Sequence, residues 1–127
     1  MNYLFDTHTL LWLLEGNKSI SEKIKNILID TSSIKYISAA TFWEIAIKVS
    51  IGKLQIDYVL EDLPLVLIRP GFEFLSITEK HALAVAKLPS HHKDPFDPIM
   101  IAQTQLENLT LMTRDNNISK YDVPVIW

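Results

Sequence analysis

The sequence predicts an α/β fold in which a central, mainly parallel sheet of four or five strands lies between two layers of helices, a three-layer α/β/α arrangement. Short apolar runs alternate with amphipathic segments along the chain, and strands that alternate with helices pair in parallel through right-handed crossovers. The 127 residues are 48 % hydrophobic and 21 % charged, which suits the core of one domain. No linker, repeat or low-complexity segment interrupts the pattern, so we expect a single domain over residues 1–127.

One strand and two helices are predicted in the first quarter of the chain. Residues 3–5 are a short apolar run, and the leucines after Thr7 recur at helical spacing up to Gly16. Ser19 and Glu22 have the spacing of a capping box, which predicts a second helix with one stripe of isoleucines. The first strand therefore leads directly into a helix.

The order of strand and helix repeats in the next segment. Residues 35–37 are β-prone, and Ser38 is placed to cap the helix that follows. Residues 42–51 are apolar nearly all round, which predicts that this helix ends at Gly52. A short helix is predicted to begin near Asp62.

Three more strands are predicted in the second half of the chain. Residues 74–77 predict the third strand, and Thr78 is placed to cap a helix that ends at residues 88–89. Residues 109–112 and 123–127 are the last two β-prone runs.

The start of the last helix has two interpretations. A polar loop at residues 90–93 precedes Asp94 and Pro95, which together are typical of an N-cap followed by proline at the first helical position. Asp97 would then lie in the first turn, and Pro98 would remove the first hydrogen bond of the helix. Alternatively, the helix begins at Pro98 with Asp97 as its cap.

The composition excludes several classes of protein. The absence of cysteine excludes disulfide scaffolds, zinc ribbons and thiol catalysis, and it suits a reducing compartment, so we expect a cytoplasmic protein. The longest apolar runs are residues 10–14 and 82–86, well short of the roughly 20 residues that a membrane-spanning helix needs. The net charge of −3 shows no basic surplus for neutralising a nucleic-acid backbone. Any action on nucleic acid therefore needs a localised site with a bound cation.

Acidic residues occupy positions where such a fold binds ligands. Asp6 closes the first strand and Asp115 follows the fourth, and the carboxyl ends of parallel strands meet at one edge of the sheet. Glu44 is the only acid within the apolar third helix, and Asp94 and Asp97 begin the last one. Together they suggest a shared acidic site.

A cluster of carboxylates requires a compensating positive charge. Two carboxylates about 4 Å apart repel by roughly 4 kcal/mol at an effective dielectric constant near 20. Oxygen ligands without cysteine select a hard ion such as Mg²⁺ or Mn²⁺, which can activate a water for phosphodiester hydrolysis. Thr7 and Thr113 flank the predicted site and are placed either to orient a carboxylate or water or to cap a helix.

Each acid also has a purely structural interpretation. Asp6 and Asp94 can cap helices, Asp115 can form a turn, and Glu44 can pair with Lys48 one helical turn away. The residues alone leave both interpretations open.

The histidines and tryptophans carry less information about function. His91 and His92 are adjacent, which favours a solvated loop over ligation of one ion. Trp12, Trp43 and Trp127 lack interleaved basic residues and are predicted to pack in the core.

Five segments together carry a resemblance to a known family. They are FDTHTLLW at 5–12, SAATFWEIAIK at 38–48, the stretch from LPSHHKDPFD to IAQ at 88–103, LMTRD at 111–115 and VIW at 125–127. In this order and spacing they resemble the PIN-domain family, most closely the VapC-type ribonuclease toxins of type II toxin–antitoxin pairs. The resemblance spans the whole chain.

The resemblance implies a site and its partners. Asp6, Glu44, Asp97 and Asp115 match the family's acids that bind Mg²⁺ or Mn²⁺ for RNA cleavage. Asp97 fits the third position better than Asp94 by its spacing to the following strand, and Asp94 would support the site. A homodimer and a small antitoxin protein whose tail blocks the acidic pocket are also implied.

Two departures keep an alternative open. Pro98 stands where close relatives usually have a basic residue, and Arg114 where a small residue is more usual. The alternative is a non-catalytic PIN-like module that binds an antitoxin or RNA. An aspartyl-phosphate phosphotransfer protein is disfavoured, because His8 stands where one such class needs a second acid.

Overall fold

The computed structural model describes residues 1–89 and 94–127 and contains a five-stranded parallel sheet with the strand order β3-β2-β1-β4-β5. The strands are β1 (Tyr3–Phe5), β2 (Lys35–Ser38), β3 (Phe72–Leu75), β4 (Thr110–Met112) and β5 (Val125–Ile126). The α-helices in these residues are α1 (Thr7–Glu15), α2 (Glu22–Ile29), α3 (Ala39–Ser50), α4 (Leu63–Ile68), α5 (Glu79–Ala84) and α6 (Phe96–Leu106). Residues 90–93, predicted as a polar loop, lie outside the described residues.

The strand order places a ligand-binding crevice beside β1. The chain adds β2 and β3 on one side of β1 and then returns to add β4 and β5 on the other. Open α/β sheets bind ligands where the strand order reverses in this way, beyond the carboxyl ends of the strands. In this protein the carboxyl ends of β1 and β4 flank that point.

Helices cover both faces of the sheet, which confirms the predicted three-layer fold. Side chains alternate along β1, so Phe5 and Leu4 point to opposite faces, and both are fully buried. Phe5 belongs to a core formed with α1, α2, α3 and α4, whereas Leu4 packs with residues of α6. Within the described residues, no helix combines the length and the hydropathy needed to cross a bilayer.

Predicted boundaries were wrong at α2 and β3, and β5 (Val125–Ile126) is shorter than the predicted strand over 123–127. Helix α2 is capped by Ser21, whose Oγ accepts from the Ile24 N–H at 3.3 Å, whereas the Ser19 N–H donates to Asn17 Oδ1. The capping box at Ser19 is therefore absent. Strand β3 begins two residues earlier than predicted, because Phe72 is buried and its ring meets Phe5 edge-on with centroids 5.1 Å apart.

Trp43 corrects another expectation, because it is 50 % exposed rather than part of the core. Its ring meets Phe96 edge-on with centroids 4.9 Å apart. Trp12 and Trp127 are partly buried and pack against the first core, as expected.

Helix α6 begins between the two predicted starts, and the Asp94 side chain caps it as the first interpretation predicts. Phe96 is its first residue, Asp97 the second and Pro98 the third. The first hydrogen bond of the helix joins the Ile99 N–H to the Pro95 carbonyl, so Pro98 occupies a position whose N–H has no partner in any helix. Proline in this first turn therefore removes no hydrogen bond, and Asp97 is not the cap.

We expect Pro98→Ala to lower the free energy of unfolding by about 0.4–1 kcal/mol. Proline fits this first-turn position, so alanine mainly increases the freedom of the unfolded chain. Urea unfolding followed by circular dichroism measures the change, and the folded-state helix signal should stay the same. A more stable alanine variant would show that Pro98 strains the helix.

Candidate metal centre

Asp6 connects the end of β1 to the start of α1. It is 7 % exposed and is the N-cap of α1, where its Oδ1 accepts from the Thr9 N–H at 2.8 Å. The hydroxyl of Thr113, just after β4, donates to Asp6 Oδ2. The capping interpretation of Asp6 thus holds, and its second oxygen is tied to the neighbouring strand.

Burial raises the pKa of Asp6 above its ordinary value. Hydrogen bonds from Thr113 and Thr9, and the charge of His8, act in the opposite direction but only in part. The ionised carboxylate is therefore under-compensated by the protein itself. A cation placed beside it would stabilise the charged form.

Glu44 lies on the inner side of α3 and is 8 % exposed. Its Oε2 accepts from the Lys48 ammonium at 2.6 Å, so the predicted pairing one helical turn apart is present. Because Glu44 is buried and Lys48 is one-third exposed, the lysine supplies the positive charge that a buried carboxylate needs.

A backbone hydrogen bond joins Asp115 to Thr113, whose hydroxyl also contacts Asp6. The Asp115 N–H donates to Thr113 Oγ1 at 3.0 Å, and Asp115 Oδ1 accepts from the Asn117 N–H at 2.9 Å. Its structural interpretation as a turn residue therefore holds as well. Thr113 thus contacts two of the predicted acids at once.

Asp94 and Asp97 lie at the start of α6 and have different roles there. Asp94 Oδ1 accepts from the N–H groups of Phe96 at 2.9 Å and Asp97 at 3.2 Å, so it serves as the side-chain cap of this helix. Asp94 is exposed, whereas Asp97 is half-buried in the first turn.

All five predicted acids line one cavity of about 260 Å³, here called the acidic cavity. Its lining residues are Asp6, Thr7, His8, Glu44, Lys48, Asp94, Phe96, Asp97 and Asp115. They come from the ends of β1 and β4, from α3 and from the start of α6. The Thr7 hydroxyl also forms a 3.1 Å hydrogen bond with the Thr41 hydroxyl. Thr113 does not line the cavity and is connected to it by its hydrogen bond to Asp6.

The donor chemistry of this cavity fits a hard divalent cation, although the ligand shell is not preformed. Carboxylates line it, and the burial of Asp6 leaves negative charge under-compensated. In the described part of the chain, however, no three acidic or histidine side chains are arranged to hold an ion together. Binding of an ion therefore requires the acidic side chains to rearrange, and the ion must compete with Lys48 for the Glu44 carboxylate.

A second cavity of about 350 Å³, here called the aromatic cavity, adjoins the acidic cavity. It is lined by Asp6, His8, Thr9, Trp12, Arg114 and Asp115. Sequence reasoning missed His8, Trp12 and Arg114 as site residues and offered Lys48 only as a structural partner. The spacing of His8 and Trp12, one helical turn apart after Asp6, is the signal that was available.

Known proteins resemble this chain in family and in fold. A family model described as PIN domain matches residues 3–124, whereas a search of curated proteins finds no significant match. The solved structures that are similar in fold include chains from three complexes.

The first is VapBC2 from Rickettsia felis bound to a promoter DNA fragment, with 13 % identity, a TM-score of 0.75, and coverage of 100 % of this chain and 99 % of that one. The second is FitAcB from Neisseria gonorrhoeae, with 23 % identity, a TM-score of 0.69, and coverage of 98 % and 96 %. The third is a toxin–antitoxin complex from Klebsiella pneumoniae, with 23 % identity, a TM-score of 0.64, and the same coverage.

Proposed function

The chain belongs to the PIN domain family, and from this premise we propose that it is a ribonuclease that depends on Mg²⁺ or Mn²⁺ and serves as the VapC-type toxin of a toxin–antitoxin pair. The observation that carries the proposal is the acidic cavity. Acids separated by up to 109 positions in the sequence, from Asp6 to Asp115, line one crevice at the point where the strand order reverses.

We assign the metal ligands to Asp6, Glu44, Asp97 and Asp115. When bound, a divalent cation in such a site activates a water as nucleophile and stabilises the leaving oxygen of the phosphodiester. The Thr113 hydroxyl orients Asp6 by donating to its Oδ2. Asp6 Oδ1 caps α1 and would have to serve both this cap and the proposed cation.

Three further residues support the proposed ligands. Asp94 fixes the first turn of α6 and so positions Asp97. Thr7 lines the cavity beside Asp6, and Lys48 holds the Glu44 side chain in place through their ion pair. Lys48 also brings a positive charge to a cavity that must accept an anionic strand.

An antitoxin protein is the proposed partner, and a homodimer is the proposed assembly. Of the solved structures with a similar fold described above, one is named as VapBC2 and another as a toxin–antitoxin complex. An apolar groove of about 500 Å³ shares Asp94 with the acidic cavity and includes the exposed ring of Trp43. A partner chain on this groove would lie next to the acids.

Two observations favour a second candidate function, a non-catalytic PIN module that binds an antitoxin or RNA. Glu44 already has a cationic partner, and the acids among residues 1–89 and 94–127 are not arranged as a ligand shell. The helix geometry at Pro98 does not support this candidate, because Pro98 costs α6 no hydrogen bond. The basic residue that relatives usually have at this position is still missing and remains consistent with it.

A cleavage assay separates the two candidates. We expect the purified full chain to cut a mixed-sequence RNA with Mn²⁺ or Mg²⁺ but not with a chelator, and excess Mn²⁺ should restore cutting. Asp122→Asn, which removes an exposed acid outside both cavities, should retain full activity. RNA binding without cutting under every metal condition would support the non-catalytic module, and cutting that persists in chelator would overturn the metal-dependent proposal.

A further inference from the structure

The aromatic cavity adjoins the proposed cleavage site and shares Asp6, His8 and Asp115 with it. We propose that it binds the base of the nucleotide next to the scissile phosphate and prefers guanine. This inference rests on the proposed function, because it assumes that an RNA strand crosses the acidic cavity. Its volume of about 350 Å³ lies near the lower end of the range for small-ligand pockets, about 300–1,000 Å³, which suits one nucleoside rather than a longer segment.

Trp12 forms the apolar wall of this cavity. The indole is partly buried, and its position is fixed by Trp127, whose ring meets it at 73° with centroids 5.5 Å apart. His8 lies one turn earlier on α1, with ring centroids 6.4 Å from Trp12. An aromatic wall held in this way offers a surface on which any base can stack, whatever its sequence.

Arg114 supplies the polar edge that distinguishes one base from another. Its guanidinium Cζ lies 5.9 Å from the centre of the Trp12 ring, within the range of a cation–π contact. The guanidinium can donate to two acceptors at once, and guanine presents O6 and N7 side by side, whereas cytosine presents an amino donor at that edge. Arg114 is therefore matched to guanine.

Charge gives a second reason for a nucleotide at this position. The chain has a net charge of −3, and the acidic cavity by itself repels phosphate. Arg114 is exposed after β4 and brings a permanent positive charge to the wall next to Asp115. An RNA strand that enters from this side meets a cation before it meets the carboxylates.

Nucleotide binding to the metal-free full chain tests the subsite. Calorimetry should show that GMP binds about tenfold more tightly than CMP, and that ribose 5-phosphate binds more weakly than either. Arg114→Lys should reduce the preference to less than about threefold, because lysine lacks the planar pair of donors. Arg69→Lys is the matched control on an exposed arginine outside both cavities, and it should leave the preference unchanged.

Trp12→Leu tests the stacking role of the apolar wall separately from the base discrimination by Arg114. It should weaken the binding of GMP and of CMP by similar factors, since stacking is tolerant of sequence. If this variant does not fold, Arg114→Lys still decides the question, because Arg114 is exposed and its replacement leaves the core intact. Equal affinity of the wild-type chain for GMP, CMP and ribose 5-phosphate would overturn the inference.

The subsite and the proposed function can fail independently. Mapping of RNA ends after Mn²⁺-dependent cleavage should place guanine beside the cut, and Arg114→Lys should reduce this bias. Arg69→Lys, outside both cavities, should leave both the bias and the rate of cutting unchanged. Metal-dependent cleavage with no base bias, together with equal nucleotide affinities, would overturn the subsite alone. A clear GMP preference in a chain that never cuts RNA would support the proposed base site and overturn the proposed ribonuclease function.

Discussion

Asp6→Asn is expected to lower Mn²⁺-dependent RNA cleavage by at least about 100-fold and, at the same time, to stabilise the metal-free fold. The carboxylate is buried between the ends of β1 and β4 and lines both cavities. Asparagine has nearly the same shape and keeps an oxygen for the Thr9 N–H, so the cap of α1 survives. What it loses is the negative charge that a divalent cation requires.

The gain in stability follows from the raised pKa of Asp6. A buried carboxylate disfavours ionisation, so the folded state binds its proton more tightly than the unfolded state does. Below the ordinary aspartate pKa the group is protonated in both states and carries no penalty. As the pH rises from that value through the raised pKa, the wild-type fold loses stability that Asp6→Asn retains.

Urea unfolding at acidic and at neutral pH, with a chelator present, measures this difference. At neutral pH the variant should be more stable than the wild type, and below the ordinary aspartate pKa the two should converge. Asp122→Asn, the exposed control, should show no comparable gain. A less stable Asp6→Asn at neutral pH would mean that the bonds from Thr9 and Thr113 outweigh burial, and retained cleavage would remove Asp6 from the proposed ligands.

The position of Asp6 was predictable because a general rule of parallel sheets determines it. A short apolar run that ends in an acid and turns at once into a helix places that acid at the carboxyl end of a strand, and the same holds for Asp115 after β4. Glu44 was recognisable as an acid in an apolar helix. Long-range pairing of β1 with β4 then brings the strand-end acids together.

Competition between neighbouring residues limited the prediction at the start of α6. Asp94, Pro95, Asp97 and Pro98 each carry a helix-start signal, and the signals lie within five residues. The observed helix satisfies two of them at once: Asp94 caps the first turn, and Pro98 fills a first-turn position. No single-residue rule selects this compromise.

The aromatic cavity was not predictable for a different reason. Trp12, Arg114 and Trp127 are distant in sequence, and only the placement of α1 beside the ends of β4 and β5 brings their side chains into contact. A lone tryptophan at helical spacing is more often a core residue, which is what the sequence suggested. Its second role, as a cavity wall, depends on a neighbour that no local pattern identifies.

Mn²⁺ is expected to raise the thermal unfolding midpoint of the metal-free chain, and the acids at the start of α6 should differ in their share of this effect. An ion that binds only the folded state adds about 2.7 kcal/mol at 100 times its dissociation constant. At one Mn²⁺ concentration, Asp6 should make the gain larger than a surface site would give, because its burial leaves charge that the protein does not neutralise and an ion that supplies this charge binds more tightly. Asp6→Asn should therefore abolish the shift.

Asp97→Asn and Asp94→Asn form a matched pair for this measurement. Both line the acidic cavity, and each substitution removes one negative charge at the start of α6. Asp94 uses Oδ1 to accept from two N–H groups, a role that asparagine also fills, so Asp94→Asn should keep most of the Mn²⁺ shift. Asp97→Asn should lose most of it, and the reverse ranking would make Asp94 the ligand and Asp97 the supporting residue.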